Sequence, residues 1–279
     1  MEDRFTTLGG LRAHYVEWGD PAAPPVVLLH GLRSYARTWD GVAAALAADH
    51  RVLALDHRGR GDSAWDPARD YYTGAYVRDL EEFADRLGLD RFALVGHSMG
   101  GANALVYASR HPDRVRRAVI EDMGPGASAG GAGAERIKRE LAETPRAFAD
   151  LDEARAYWRS VRPAASDDAI ESRVRHTVTG DGRGALTWKF DLDGIAAARL
   201  DAGPSRQVDL WPCVERLACP ALVLRGGDSD YLSRDVCLRM AARQPLLEWA
   251  EIPGAGHYVH DDDPAAFAAA VTAFLREDR

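Results

Sequence analysis

A chain of 279 residues, 46% of them hydrophobic, can bury a sizeable core, and its length fits one large domain carrying an insertion. A formal charge of −8 argues against nucleic acid or an anionic membrane as partner, since either needs clustered Lys and Arg, and leaves small-molecule chemistry as the default. Cys213, Cys219 and Cys237 form no disulfide-dense or Cys-x-x-Cys pattern, and no export signal or 18-residue apolar run is present; reduced thiols in a cytoplasmic protein without a membrane span are expected.

In chain order, short apolar runs ending in polar or small residues occur at Val26 to His30, Val52 to Asp56, Phe92 to Gly96, Ala118 to Asp122, Ala221 to Arg225 and Leu247 to Ile252. Continuous apolar runs of this length are what strands buried on both faces require. Helical patterns lie between them at Trp39 to Ala48, Tyr76 to Leu87 and Met99 to Ser109, so an α/β chain with a mostly parallel sheet flanked by helices is predicted. Right-handed crossovers then place the strand C-terminal ends, and ligand chemistry, on one edge.

The alternation lapses after Pro125. Gly124 to Gly133, a Gly/Ala/Ser stretch, reads either as a hinge or as a disordered loop, and it opens a charged, mostly helical segment without strong strand signals. The predicted division is therefore a core of residues 1–124 and 216–279 and a helical insertion of 125–215. Phe148, Tyr157, Trp158, Trp188 and Phe190 lie in that insertion. Trp158, Trp188 and Phe190, with Tyr258 beyond it, are expected to bind substrate as the wall of an apolar pocket under a lid. The alternative is that the insertion's aromatics form its own small core.

Gly96-His97-Ser98-Met99-Gly100 follows the strand Phe92 to Val95 and leads directly into a helix. That strand-turn-helix setting is the one a nucleophile elbow requires, with glycines where side chains would collide and Ser98 held out above the sheet edge. The Met99 amide, at the helix start, can point at a developing oxyanion. The competing reading of Ser98 is a helix N-cap. A serine nucleophile needs a base with a pKa near 7. Of nine histidines, His257 follows a late strand and a glycine turn and precedes a last helix starting near Pro264. His260 with Asp261, Asp262 and Asp263 has no metal-ligand spacing and reads as a solvated, helix-capping turn; no metal and no cofactor are expected.

Four segments together resemble the α/β-hydrolase family: the elbow, His30-Gly31 after an early strand, Asp56-His57-Arg58-Gly59-Arg60-Gly61-Asp62-Ser63 after the next, and Gly254-Ala255-Gly256-His257 near the end. The resemblance covers the chain apart from the insertion, which then stands as a helical cap after the sixth strand. It implies Leu32 and Met99 as the two oxyanion amides and places His97 and His30 in packing and hydrogen bonding near the site. It also implies a triad acid at one of two strand ends. Counting three residues from Gly226 reaches Ser229 and from Gly227 reaches Asp230, with Asp228 close by. Some esterases and thioesterases of the family are similar to this chain in carrying the acid earlier, at Asp122. Asp122 is the assignment made here and Asp230 the alternative, while Glu121 should face the opposite side of its strand.

The resemblance implies an enzyme that cleaves an ester-like bond of a small molecule: Ser98 attacks, His257 carries the proton, the acid orients His257, and water releases the acyl-enzyme. Relatives that transfer alkyl groups use aspartate at the elbow, so Ser98 argues against dehalogenase and epoxide hydrolase chemistry. Lactonase, thioesterase, carbon-carbon bond hydrolase and cofactor-free haloperoxidase activities share the same residues. A non-catalytic ligand receptor is the reading from another class. Substrate and subunit number are not legible in the sequence.

Overall fold

A computed structural model of the chain describes residues 1–180, 182, 184–200 and 208–276. The chain begins with β1 (Glu2–Leu8), β2 (Leu11–Trp18) and β3 (Pro25–Leu29), then a 3-10 turn (Ala36–Trp39), α1 (Asp40–Leu46) and β4 (Arg51–Leu55). It continues through α2 (Thr73–Arg86), β5 (Phe92–His97), α3 (Met99–Arg110) and β6 (Val115–Glu121). Between β6 and the next long strand lie α4 (Ala132–Ala142), β7 (Ala147–Phe148), α5 (Leu151–Val161), α6 (Asp167–Thr177), β8 (Val178–Gly180), β9 (Leu186–Trp188), α7 (Leu192–Leu200) and α8 (Trp211–Glu215). The chain closes with β10 (Ala221–Gly226), α9 (Arg234–Arg243), β11 (Leu247–Ile252), α10 (Val259–Asp262) and α11 (Pro264–Arg276).

Eight strands form one sheet in the order β1-β2-β4-β3-β5-β6-β10-β11. The six strands predicted from apolar runs are its six parallel members; β1 and β2 join antiparallel at one edge. Those two escaped the sequence reading because neither carries a continuous apolar run: β1 is exposed along most of its length, and β2, though mostly buried, is interrupted by Arg12, His14 and Glu17. Side-chain alternation divides the interior in two. Val27, Leu29, Leu53, Leu55 and Leu94 pack under α2 and α3, while Val26, Leu28, Val52, Ala93 and Val95 pack under α1 and α11. The order β4-β3-β5 means that the chain turns back at β3, and the crevice between the ends of β3 and β5 is where a doubly covered sheet binds its ligand.

The stretch predicted as a helical insertion holds helices and also a three-stranded antiparallel sheet, β7-β9-β8, which the sequence reading did not anticipate. Two- and three-residue strands are too short to show a period. Helix starts here have sequence causes: Asp150 accepts from the Asp152 and Glu153 amides ahead of α5, and Ser166 accepts from the Ala169 amide ahead of α6. Phe148, Trp158 and Phe190 surround Trp188, with ring centroids at 4.9, 5.7 and 4.6 Å from it. The two ends of the Gly/Ala/Ser stretch are packed, while Gly126, Gly130 and Gly131 within it have open space beside them. A Cβ on Gly124 would lie 2.9 Å from the Met240 sulfur, and one on Gly133 would lie 2.7 Å from the Asp230 carbonyl oxygen. Residues 181, 183 and 201–207 of the 125–215 stretch, and 277–279 of the core, lie outside the described residues.

Cys213, Cys219 and Cys237 are free and buried. No helix among the described residues is long and apolar enough to cross a membrane.

Candidate active site

Ser98 joins β5 to α3 with φ 52° and ψ −115°, a left-handed backbone that costs a non-glycine residue energy and persists only where its surroundings impose it. What imposes it is the close packing of α3 on two strands. A Cβ on Gly96 would sit 2.4 Å from the Gly100 carbonyl oxygen, and a Cβ on Gly100 would sit 2.1 Å from that of Leu29. The Ser98 side chain makes no capping hydrogen bond to α3. Its Oγ lies instead 3.0 Å from Nε2 of His257.

His257 follows β11 and the Gly254 turn and is buried. Its Nδ1 lies 2.7 Å from Oδ2 of Asp122, which stands immediately after β6 and also has a left-handed backbone, φ 46°. The Asp122 carboxylate accepts further hydrogen bonds from the Gly226 amide at 3.1 Å and the Ser229 hydroxyl at 2.5 Å. Ser229 occupies the later position at which the alternative acid was sought. There it holds Asp122, and it accepts in turn from the amides of Tyr231 and Leu232.

The other acids lie elsewhere. Asp230 receives two hydrogen bonds of 2.8 Å from Arg136 of α4, which hold its carboxyl below the usual range. Asp228 is exposed. Glu121 is buried across the strand from Asp122 and pairs with Nδ1 of His260 at 2.7 Å. That pair corrects the reading of His260 to Asp263 as a solvated turn. His260 is buried, Asp261 pairs with the buried Arg173, and the side chains of Asp262 and Asp263 accept from the Gly256 and Ala266 amides. His97, Glu121 and His260 bring one metal-ligand atom each within 4.8 Å of one another. Hydrogen bonds already engage all three, His97 Nε2 lying 2.9 Å from the His257 carbonyl oxygen. His30 likewise is inside the structure, its Nε2 accepting from the His57 amide.

Burial holds His257 well below the ordinary histidine pKa, and the charges of Arg136 and Arg162 push the same way. A neutral imidazole results, with Nδ1–H donating to Asp122 and Nε2 free to take a proton from Ser98. Burial pushes the Asp122 carboxyl upward, against the opposing hydrogen bonds of Ser229 and Gly226.

A cavity of about 420 Å³ opens over Ser98. Leu32 and Met99 line it beside the serine, as do Tyr72 and Tyr76 ahead of β5 and Ile137 and Ile195 from the stretch between β6 and β10. The expected substrate-binding residues are not in its wall. Trp158, Trp188 and Phe190 are buried against one another, and the indole N–H groups are spent on Thr177 Oγ1 and the Pro145 carbonyl. Tyr258 packs against the His257 and His97 rings, with the Arg162 guanidinium 3.6 Å above it. Tyr231, absent from the sequence reading, reaches the cavity with its ring 4.2 Å from that of His257. Its only signal was proximity to the Gly226-Gly227 turn, which does not distinguish it from its neighbours.

Residues 24–130 match the profile of the alpha/beta hydrolase fold family. The chain is 32% identical over 270 residues to a 3-hydroxybutyrate-oligomer hydrolase of Cupriavidus necator, covering 93% of this chain and 91% of that one. It is 30% identical over 263 residues to an sn-1-specific diacylglycerol lipase of Mus musculus, covering 92% and 82%. A crystal structure of E-2-(acetamidomethylene)succinate hydrolase matches with a TM-score of 0.88 at 24% identity over 99% of each chain, a likeness of fold.

Because backbone atoms fill the space beside Gly100, Gly100→Ala should destabilise the chain by about 3 kcal/mol or more. The urea unfolding midpoint measures this; an unchanged midpoint would show that α3 can move off β3 without cost.

Proposed function

The chain belongs to the α/β-hydrolase fold family, and from that premise we propose that it is a serine hydrolase cleaving a carboxylic ester-like bond of a small, partly apolar molecule. The observation that carries this reading is the hydrogen-bonded row Ser98 Oγ, His257 and Asp122, with separations of 3.0 and 2.7 Å, opening on a cavity.

In the proposed reaction Ser98 Oγ bonds to the substrate carbonyl carbon as its proton passes to Nε2 of His257. The carbon-oxygen bond to the leaving alcohol then breaks, the alcohol taking that proton, and an acyl-enzyme remains. Water adds to the acyl carbon, gives its proton to His257, and Ser98 departs with it as the acid product is released. Asp122 holds the imidazole tautomer and offsets its transient positive charge. The amides of Leu32 and Met99 receive the oxyanion, Met99 as the first residue of α3, where helix N–H groups have no intrahelical acceptor. The insertion acts as a cap, supplying Ile137 and Ile195 to the cavity's apolar wall. A hydrolase of hydroxy-acid oligomers and a diacylglycerol lipase among the relatives agree with an ester as substrate.

Ser98→Ala should abolish hydrolysis of short aryl esters and labelling by a fluorophosphonate; native protein that resists labelling would instead favour a ligand receptor. Asp122→Asn should lower kcat by about 10³ or more. Asp230→Asn, which breaks only a part-exposed ion pair, should stay within about tenfold. The reverse order would move the acid to Asp230. Burial lowers His257 and raises Asp122 to about 7, so the pair takes up one proton between them as pH falls, and kcat/KM should drop along a single acid limb that belongs to the pair. A kcat/KM that keeps its neutral value down to about pH 4 would contradict a reaction that needs His257 unprotonated beside an ionised Asp122.

A further inference from the structure

Arg60 occupies the variable position between Gly59 and Gly61 in the turn after β4, and it is 0% exposed. All its hydrogen bonds to described residues end on uncharged atoms. Nε–H donates to the Leu32 carbonyl at 3.1 Å, and one terminal nitrogen donates to the Arg58 carbonyl at 2.9 Å and the Tyr76 hydroxyl at 2.6 Å. The other terminal nitrogen reaches the Met99 sulfur at 3.7 Å. The rings of Tyr71 and Tyr76 flank the guanidinium, with centroids at 5.3 and 5.2 Å.

No carboxylate among the described residues comes within ion-pairing distance of Arg60. Two positions earlier, Arg58 follows the usual rule for buried cations, paired with Asp66 at 2.7 Å and Asp79 at 2.6 Å. The histidines near Arg60 add no compensation: burial chiefly, with a contribution from the Arg60 charge, holds His30 at about 4 and His57 well below its ordinary value. Among the described residues no carboxylate compensates this guanidinium, and its burial is costly unless negative charge develops in some place nearby.

That place is defined by what Arg60 touches. Leu32, Tyr71, Tyr76 and Met99 all line the cavity that contains Ser98, so the guanidinium stands one layer behind its wall. We propose that Arg60 is a positioning residue for the oxyanion: it fixes the Leu32 and Met99 segments and sets a positive charge, unpaired among the described residues, behind their amides. The proposal rests on the serine-hydrolase reading. A neutral ester gains little from this charge on binding, whereas the tetrahedral intermediate gains most, so the effect belongs to kcat and not to KM. Lysine cannot replace the planar fork, because one ammonium cannot span the Leu32 carbonyl, the Tyr76 hydroxyl and the Met99 sulfur together.

The test compares Arg60→Gln and Arg60→Lys with the native chain in hydrolysis of a short aryl ester and in inhibition by phenylboronic acid. The boronic acid takes the Ser98 oxygen onto boron while the hydroxyl proton passes to His257, leaving an anionic tetrahedral adduct that mimics the intermediate. Arg60→Gln should lower kcat by about 100-fold with KM within about threefold, and weaken boronic acid inhibition by a factor parallel to the loss in kcat. Arg60→Lys should lie between, near a tenfold loss by the same reasoning. A kcat within about threefold of native, or a change in KM with boronic acid affinity unaltered, overturns the proposal. Where thermal unfolding shows that Arg60→Gln is not folded, Arg60→Lys decides on the same criteria. Native protein that neither turns over the ester nor binds the boronic acid would overturn the serine-hydrolase reading itself.

Discussion

The contact of α3 with β3 and β5 leaves no room for a Cβ at Gly96 or Gly100, and Ser98 takes its left-handed backbone between them. Rotating Ser98 into an ordinary helical or extended conformation would turn the chain away from one of these packed elements. Its hydroxyl therefore projects from the sheet edge and not along the helix it begins. The position of every other group at the site is referred to this one, because His257 is placed by its 3.0 Å approach to the Ser98 oxygen and Asp122 by its approach to His257.

Those groups come from three separate strand ends. A parallel sheet gathers the ends on one edge, and the turns that follow them hold the side chains through backbone amides. Gly226 at the end of β10 donates to Asp122, Ser229 two residues past the second glycine does the same, and His97 supports the His257 carbonyl from below. A second buried pair, Glu121 and His260, lies on the other face of β6. Adjacent acids at the end of β6 thus serve different partners: Asp122, just past the strand, pairs with His257 and Glu121, its last residue, with His260.

The cavity wall shows how composition misleads where shape decides. Large aromatics between β6 and β10 have the size and polarity of pocket residues, but these are buried in one continuous cluster with the side chains packed against the sheet. Within it Phe148, Trp158 and Phe190 pack their rings around Trp188. The pocket surface includes instead Ile137, Ile195 and Leu210 from the stretch between β6 and β10, with Tyr71, Tyr72, Tyr76 and Tyr231.

The amino-acid sequence by itself determined the parallel strands, whose continuous apolar runs report burial on both faces, and the elbow, whose glycines are required by local backbone geometry. Ser98 and His257 were legible because each sits in a turn with its own short-range signature. The acid was assigned to Asp122 only through the family resemblance, since by residue type and by position at a strand end Asp122 and Asp230 are equivalent. The tertiary structure supplies the physical distinction between them: β10 brings Ser229 and the Gly226 amide onto Asp122, and Arg136 of α4 engages Asp230. The same holds for the aromatics, the buried His260 and Arg60. Their partners are far away in the chain, and residue type carries no record of a contact that depends on how distant segments pack.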